Sequence, residues 1–182
     1  MIYMFLANGF EEVEALCPLD ILRRAGLDVR TVSITPDRAV TGAHEITVMA
    51  DISGDVFEAA PDASPDMIIL PGGMPGTSNL DQSPLVDAAI QAAVSNGAYL
   101  AAICAAPMVL GKRGLLEGKR ATCYPGFEPF LFGATEIGGR VICDGKIITA
   151  TGMGVAQEFG LALVTALTDE ATAGRIHKAI RA

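Results

Sequence analysis

Cys104 is the residue whose type and setting best fit covalent chemistry. It lies between small residues in segment 101–107, directly after the apolar run Tyr99–Ile103, which predicts a buried strand. We predict a helix over residues 105–112, so Cys104 would occupy a nucleophile elbow, a sharp turn between strand and helix. The dipole and free N–H groups of a helix N-terminus favour the nucleophilic thiolate. The segment alone is equally consistent with a buried structural cysteine.

Two further loops follow predicted strands and carry groups that could assist such a thiol. Gly72 and Gly73 come directly after the apolar run Met67–Leu70, and adjacent glycines let backbone N–H groups converge on an oxyanion. This loop lacks the Lys-Ser/Thr ending of a phosphate-binding loop and the glycine spacing of a dinucleotide-binding motif, so nucleotide binding is not indicated. Glu14 is one of three glutamates near the end of the first predicted strand, where a carboxylate at a helix start is often only structural.

Other side chains argue against several familiar site types. The chain has only two histidines, His44 and His177. Neither lies in a segment whose pattern would place it beside Cys104, so a Cys-His protease is not supported. The four cysteines have no C-x-x-C spacing, which argues against a disulfide framework and a zinc site. We therefore expect no metal and no cofactor.

The elements that must position these groups alternate between strand and helix. Residues 2–7, 29–34, 67–70 and 99–103 read as strands, with helices over residues 11–25 and 84–95 and after Cys104. Residues 140–143 and 146–149 flank Asp144–Gly145 and predict a hairpin, and two closing helices follow. Residues 44–50 are an extra strand or hairpin arm, and residues 51–65 hold at most one short helix. This order predicts a doubly wound, mostly parallel sheet in one α/β domain, 1–182, with its ligand site at the carboxyl ends of the strands.

Composition and charge narrow the classes of partner. The chain has 182 residues, 51% of them hydrophobic, and a formal net charge of −8. An acidic chain does not suit nucleic acid or anionic membranes, because phosphate binding needs a basic surface. The longest apolar run, residues 98–110, is shorter than the ~20 residues of a membrane span. The N-terminus lacks the layout of a signal peptide, so we expect a cytoplasmic location.

Taken together, segments 9–14, 70–73, 102–107 and 122–125 resemble the DJ-1/PfpI superfamily, specifically its DJ-1-like branch. The resemblance covers nearly the whole chain and implies a flavodoxin-like fold and a homodimer, with the first helix near the two-fold axis. It matches Cys104 to the family's nucleophilic, oxidation-sensitive cysteine and Glu14 to the glutamate whose protonated carboxyl hydrogen-bonds the thiol.

The resemblance also assigns the residues around this pair. Gly72 and Gly73 match the loop that closes the pocket, Ala105 and Tyr124 complete it, and His44 of the partner subunit is a candidate lining residue. Two positions depart from related enzymes. Ala105 replaces the histidine of the protease-like members, so peptidase activity is not implied. Tyr124 replaces a histidine of DJ-1-like enzymes, and tyrosine is a poor base at neutral pH.

Two functions from different classes remain open on the sequence. The first is a cofactor-independent glyoxalase or deglycase, in which Cys104 adds to an α-oxoaldehyde such as methylglyoxal and Glu14 moves a proton between adjacent carbons. The second is a redox-sensing or chaperone-like stress protein, in which Cys104 is oxidised without turnover.

Overall fold

The computed structural model describes residues 1–61 and 64–181. Within them the strands are β1 (Ile2–Leu6), β2 (Val29–Ser33), β3 (Ala39–Thr41), β4 (Thr47–Met49), β5 (Met67–Leu70), β6 (Tyr99–Ile103), β7 (Arg120–Ala121), β8 (Glu136–Ile137), β9 (Val141–Asp144) and β10 (Ile147–Ala150). The helices are α1 (Glu12–Arg24), α2 (Gly54–Ala59), α3 (Gly76–Asp81), α4 (Pro84–Ser95), α5 (Pro107–Lys112), α6 (Ala156–Leu167) and α7 (Glu170–Ala179).

Six strands form the central sheet, in the order β2-β1-β5-β6-β10-β9. All neighbours pair in parallel except β9, which is antiparallel to β10, so the predicted doubly wound sheet is confirmed. The hairpin is also present, but Asp144 pairs with Ile147 and the turn residues are Gly145 and Lys146. Because β1, β5, β6 and β10 run in the same direction, the loops that follow them meet at one edge of the sheet.

The sheet is buried on both faces, which explains the nearly continuous apolar strands. Side chains alternate along β1, so Phe5 joins the apolar cluster that includes α4 and α5, and Met4 joins the cluster that includes α1 and α6. Both side chains are fully buried. Helix α4 begins as predicted, with Ser83 accepting a hydrogen bond from the Val86 N–H and proline at the first helical position. These layers hold the strand ends in fixed positions.

The remaining segments differ in detail from their predictions. Residues 44–50 supply β4, which pairs with β3 as one arm of a small hairpin. Segment 51–65 contains the single short helix α2 in its described part, whereas residues 62–63 lie outside the described residues. Helix α3 was not predicted. None of the described helices is both long enough and apolar enough to span a membrane.

Candidate active site

Cys104 lies at the end of β6 in a conformation that non-glycine residues rarely adopt. Its φ is 65°, which places the residue in the left-handed region and makes the turn strained. Two hydrogen bonds hold the turn: the Cys104 N–H donates to the Ala150 carbonyl at 2.9 Å, and the Cys104 carbonyl accepts from the Tyr124 N–H at 2.8 Å. The helix predicted from residue 105 begins only at Pro107, because residues 104–106 form the turn itself.

Glu14 brings a carboxyl to this turn from the first turn of α1. The side chain is 1% exposed, and its Oε2 accepts a hydrogen bond from the Gly72 N–H at 3.1 Å. It is also hydrogen-bonded to the Cys104 side chain and to the Met153 backbone. Burial raises the pKa of Glu14 to about 7, with a further contribution from the charge of Glu11, although the hydrogen bonds oppose the shift. Glu14 therefore exchanges its proton near neutral pH.

The Cys104 sulfur faces the backbone N–H groups of Gly73 and Ala105, and both hydrogen bonds favour the thiolate. Burial works against them and, together with the charge and hydrogen bond of Glu14, raises the pKa of Cys104 to about 12. The sequence predicted that the helix N-terminus would favour the thiolate. This prediction is wrong, because burial and the neighbouring carboxylate raise the pKa of the thiol by more than the N–H groups lower it. With a pKa of about 7, Glu14 is about half ionised at neutral pH, and the pair gains a full negative charge as the pH rises above this value.

The Gly72–Gly73 loop packs against this pair so closely that side chains are excluded. A Cβ on Gly72 would lie 2.5 Å from both the Cys104 Cβ and the Glu14 Oε2. Gly73 has a φ of 88°, a conformation available to glycine at little cost, and this conformation directs its N–H to the sulfur. The loop therefore supplies one N–H to the carboxyl and one to the thiol.

Gly152 and Tyr124 also lie beside the pair. A Cβ built on Gly152 would lie 3.6 Å from the Glu14 Oε1, 3.9 Å from the Cys104 Sγ and 3.3 Å from the Tyr124 Cδ2. Tyr124 is 51% exposed, so it is accessible from solvent. Our sequence reasoning missed Gly152, because its place at the site depends on β10 lying beside β6, an adjacency that the predicted strands alone do not reveal.

His44 lies near the start of α1 rather than at the sulfur. Its Nδ1 is 2.9 Å from the Glu12 Oε2 and 3.1 Å from the Glu11 Oε2, and the hydrogen bond with Glu12 raises the pKa of His44. These three residues place potential metal-ligating atoms within 4.8 Å of one another. The Nδ1 of His44 contacts the Oε2 atoms of both glutamates, and the absence of a metal stays a prediction. So does a role for His44 in the pocket of a partner subunit.

The fold and this site together define a protein with an α/β sheet and a cysteine elbow paired with a buried carboxyl. The model of the DJ-1/PfpI family matches residues 1–166, and the chain belongs to that family. Its fold is correspondingly flavodoxin-like. The solved structure of oxidized DJ-1 from Toxoplasma gondii superposes with a TM-score of 0.92 at 33% identity, covering 98% of this chain and 96% of that one.

Two relatives show the range of names within the family. Protein DJ-1 homolog B of Arabidopsis thaliana is 40% identical over 169 residues, which are 89% of this chain and 37% of that protein. The chain thus spans well under half the length of this relative. The glutathione-independent glyoxalase DJR-1.2 of Caenorhabditis elegans is 32% identical over 163 residues, which are 86% of this chain and 82% of that protein.

Proposed function

We propose that this protein is a cofactor-independent glyoxalase or deglycase that converts α-oxoaldehydes, such as methylglyoxal, or their adducts into hydroxyacids. The observation that carries the proposal is the buried Glu14 carboxyl, which has a pKa of about 7 and is hydrogen-bonded to the Cys104 thiol. A carboxyl that titrates near neutral pH beside a nucleophile serves both as acid and as base. The glyoxalase relative from Caenorhabditis elegans supports the same reading.

In the first step, the ionised Glu14 takes the thiol proton as the Cys104 sulfur attacks the aldehyde carbon. A C–S bond forms, the carbonyl π bond breaks, and the oxygen receives the proton to give a hemithioacetal. The N–H groups of Gly73 and Ala105, which face the sulfur, stabilise negative charge that develops beside it. Tyr124 has its half-exposed side chain beside Gly152 and donates a hydrogen bond to the second carbonyl.

In the second step, Glu14 moves a proton between the two adjacent carbons. It removes the proton from the carbon bonded to sulfur, which gives an enediolate, and it returns a proton to the neighbouring carbon. The hydroxyl proton on the carbon bonded to sulfur passes to the oxygen of the neighbouring carbon, which leaves a hydroxyacyl thioester on Cys104. Water then hydrolyses the thioester and releases the hydroxyacid and the thiol. For methylglyoxal the balance is one aldehyde and one water consumed, with one lactate and one proton released.

The decisive experiment measures lactate from methylglyoxal with purified protein. We expect many turnovers per chain, abolished in Cys104→Ser and retained in Cys143→Ser, which removes an exposed cysteine on β9. Consumption of about one methylglyoxal per chain, or lactate formation that survives in Cys104→Ser, would contradict the proposal.

A redox-sensing function is the second candidate, because the same contacts suit an oxidised cysteine. Two equivalents of peroxide convert the thiol to a sulfinic acid with release of two waters, and the N–H groups of Gly73 and Ala105 together with protonated Glu14 would hydrogen-bond its oxygens. Stoichiometric gain of two oxygens on Cys104, without lactate formation, would favour this candidate. A stress-protein role would follow from it.

Three further properties belong to the proposal. Residues 1–182 act as one domain, the protein works in the cytoplasm, and it is a homodimer. Val13 on α1 is 43% exposed and, with Asp20 and Arg24, is the surface that we assign to the dimer contact. The partners are therefore a small carbonyl compound and a second copy of the chain.

A further inference from the structure

Glu11 carries a second carboxyl close to Glu14. It is the N-cap residue of α1, where its side chain accepts a hydrogen bond from the Val13 N–H, and its own N–H donates to the Gly72 carbonyl at 2.9 Å. The charge of Glu11 contributes to the raised pKa of Glu14, so the two carboxyls lie close enough to interact. The Glu11 side chain is only 14% exposed, so solvent screens its charge weakly.

The charges near Glu11 leave an excess of negative charge. Glu11 and Glu12 share the imidazole of His44, at 3.1 and 2.9 Å, so even a protonated His44 neutralises only one of the two carboxylates. The imidazole is 70% exposed, whereas the Glu12 side chain is 5% exposed, so the positive partner lies on the solvent side. Within residues 1–61 and 64–181, no lysine or arginine is among the main groups that shift the pKa of Glu14 or of Cys104.

We propose that Glu11 makes the Cys104 site selective for uncharged carbonyl compounds and against anionic ones. The assignment to carbonyl substrates rests on the proposed function, but the charge selectivity concerns any molecule that reaches the sulfur. Above about pH 7 the ionised Glu14 gives the pair of Glu14 and Cys104 one negative charge. A ligand carboxylate or phosphate would place a further negative charge beside it and Glu11, in a poorly solvated site where Coulomb repulsion is strong.

Alkylation of Cys104 tests this selectivity without any turnover. Iodoacetamide and iodoacetate differ little in size, but only iodoacetate carries a charge. With either reagent, iodide leaves the reagent and the thiol loses its proton as the C–S bond forms. The ratio of their rate constants at Cys104, followed by peptide mass spectrometry, is divided by the same ratio for 2-mercaptoethanol. We expect this normalised preference for iodoacetamide to be about fivefold or more, and to fall to within about twofold in Glu11→Gln, which keeps a cap acceptor.

The control variant is Glu58→Gln, which removes one exposed carboxylate on α2, a helix packed on the opposite face of the sheet from α1. It should keep the wild-type preference. The comparison is repeated in the Glu14→Gln background, because removing Glu11 also alters the ionisation of Glu14. A preference that is unchanged in Glu11→Gln, or that falls equally in Glu58→Gln, would overturn the proposal.

Two measurements separate this proposal from the proposed enzyme function. Added salt should reduce the preference of the unmodified protein more than that of 2-mercaptoethanol, because screening weakens repulsion by a nearby carboxylate; an equal response would contradict a role for charge. With substrates, phenylglyoxal should be turned over in preference to 4-carboxyphenylglyoxal, by a factor that drops in Glu11→Gln. Absence of turnover with both compounds would refute the enzyme but leave the alkylation result to decide on Glu11.

Discussion

Replacing Glu14 with glutamine separates proton transfer from geometry at the candidate site. The amide oxygen still accepts the hydrogen bond that the Gly72 N–H makes to Oε2 at 3.1 Å, and the side chain keeps its volume in a position that is 1% exposed. The variant can neither accept the thiol proton nor carry a charge. Turnover and thiol reactivity should therefore respond in different ways.

The structure gives the size of the effect on stability. The pKa of Glu14 rises from 4.5 to about 7, chiefly through burial, which corresponds to on the order of 3 kcal/mol of folding free energy. The folded protein binds this proton more tightly than the unfolded chain does. Its stabilising contribution is therefore complete below pH 4.5 and is lost as the pH rises through 7. The free energy of unfolding of wild type should fall over this range relative to that of Glu14→Gln, as urea titrations at several pH values would show.

The same substitution should uncouple catalysis from alkylation. Loss of a general acid and base costs ~10²-fold or more in turnover of methylglyoxal. Removing the carboxylate also removes a cause of the raised pKa of Cys104, so iodoacetamide should label the thiol at least as fast as in wild type. Glu158→Gln, which removes an exposed carboxylate paired with Arg140, should leave both rates unchanged. Unchanged turnover in Glu14→Gln, or equal losses of turnover and labelling, would refute the assigned role.

Four further predictions follow from the site and the family. Limiting peroxide should oxidise Cys104 before the other three cysteines, because Glu14 can take its proton during the reaction and the Gly73 and Ala105 N–H groups can hydrogen-bond the oxidised sulfur; mass-spectrometric mapping that finds exposed Cys143 oxidised first would contradict this. Gly72→Ala should abolish turnover and destabilise the fold by about 1–3 kcal/mol, measured by urea unfolding, because its Cβ would overlap Cys104 and Glu14. Turnover should rise with pH through about 7 as Glu14 ionises; a turnover rate that does not change with pH would argue against Glu14 as the base. Light scattering at micromolar concentration should give a dimer mass, and a monomer would exclude the α1 interface.

The parts of the fold that were predictable have signals contained in short segments. Strands β5 and β6 are uninterrupted apolar runs, and the structure gives them the predicted bounds, Met67–Leu70 and Tyr99–Ile103. Helix α4 has its cap, its first-position proline and its closing glycine within one stretch of sequence, so its limits were also correct. Where burial or capping is set by adjacent residues, local pattern is sufficient.

Features that depend on distant contacts were not predictable in the same way. The ionisation of Cys104 depends on burial and on Glu14, which lies 90 positions earlier in the chain, and local sequence shows only the N–H groups that favour the thiolate. Gly152 reaches the site because β10 lies beside β6, an adjacency that strand prediction alone does not give. The late start of α5 follows from the hydrogen bonds that hold Cys104 to Ala150 and Tyr124.

The presence of a tyrosine, Tyr124, beside the pair limits how protons can move at this site. Tyrosine does not accept protons readily at neutral pH, so Glu14 must take the thiol proton and also transfer the proton between carbons. One carboxyl can serve both steps, because it is hydrogen-bonded to the thiol and its Oε1 lies beside Gly152. A site with one base should need a single ionisation for activity. Tyr124→Phe should then lower kcat without moving the pH midpoint, whereas a shifted midpoint would show that the tyrosine takes part in proton transfer.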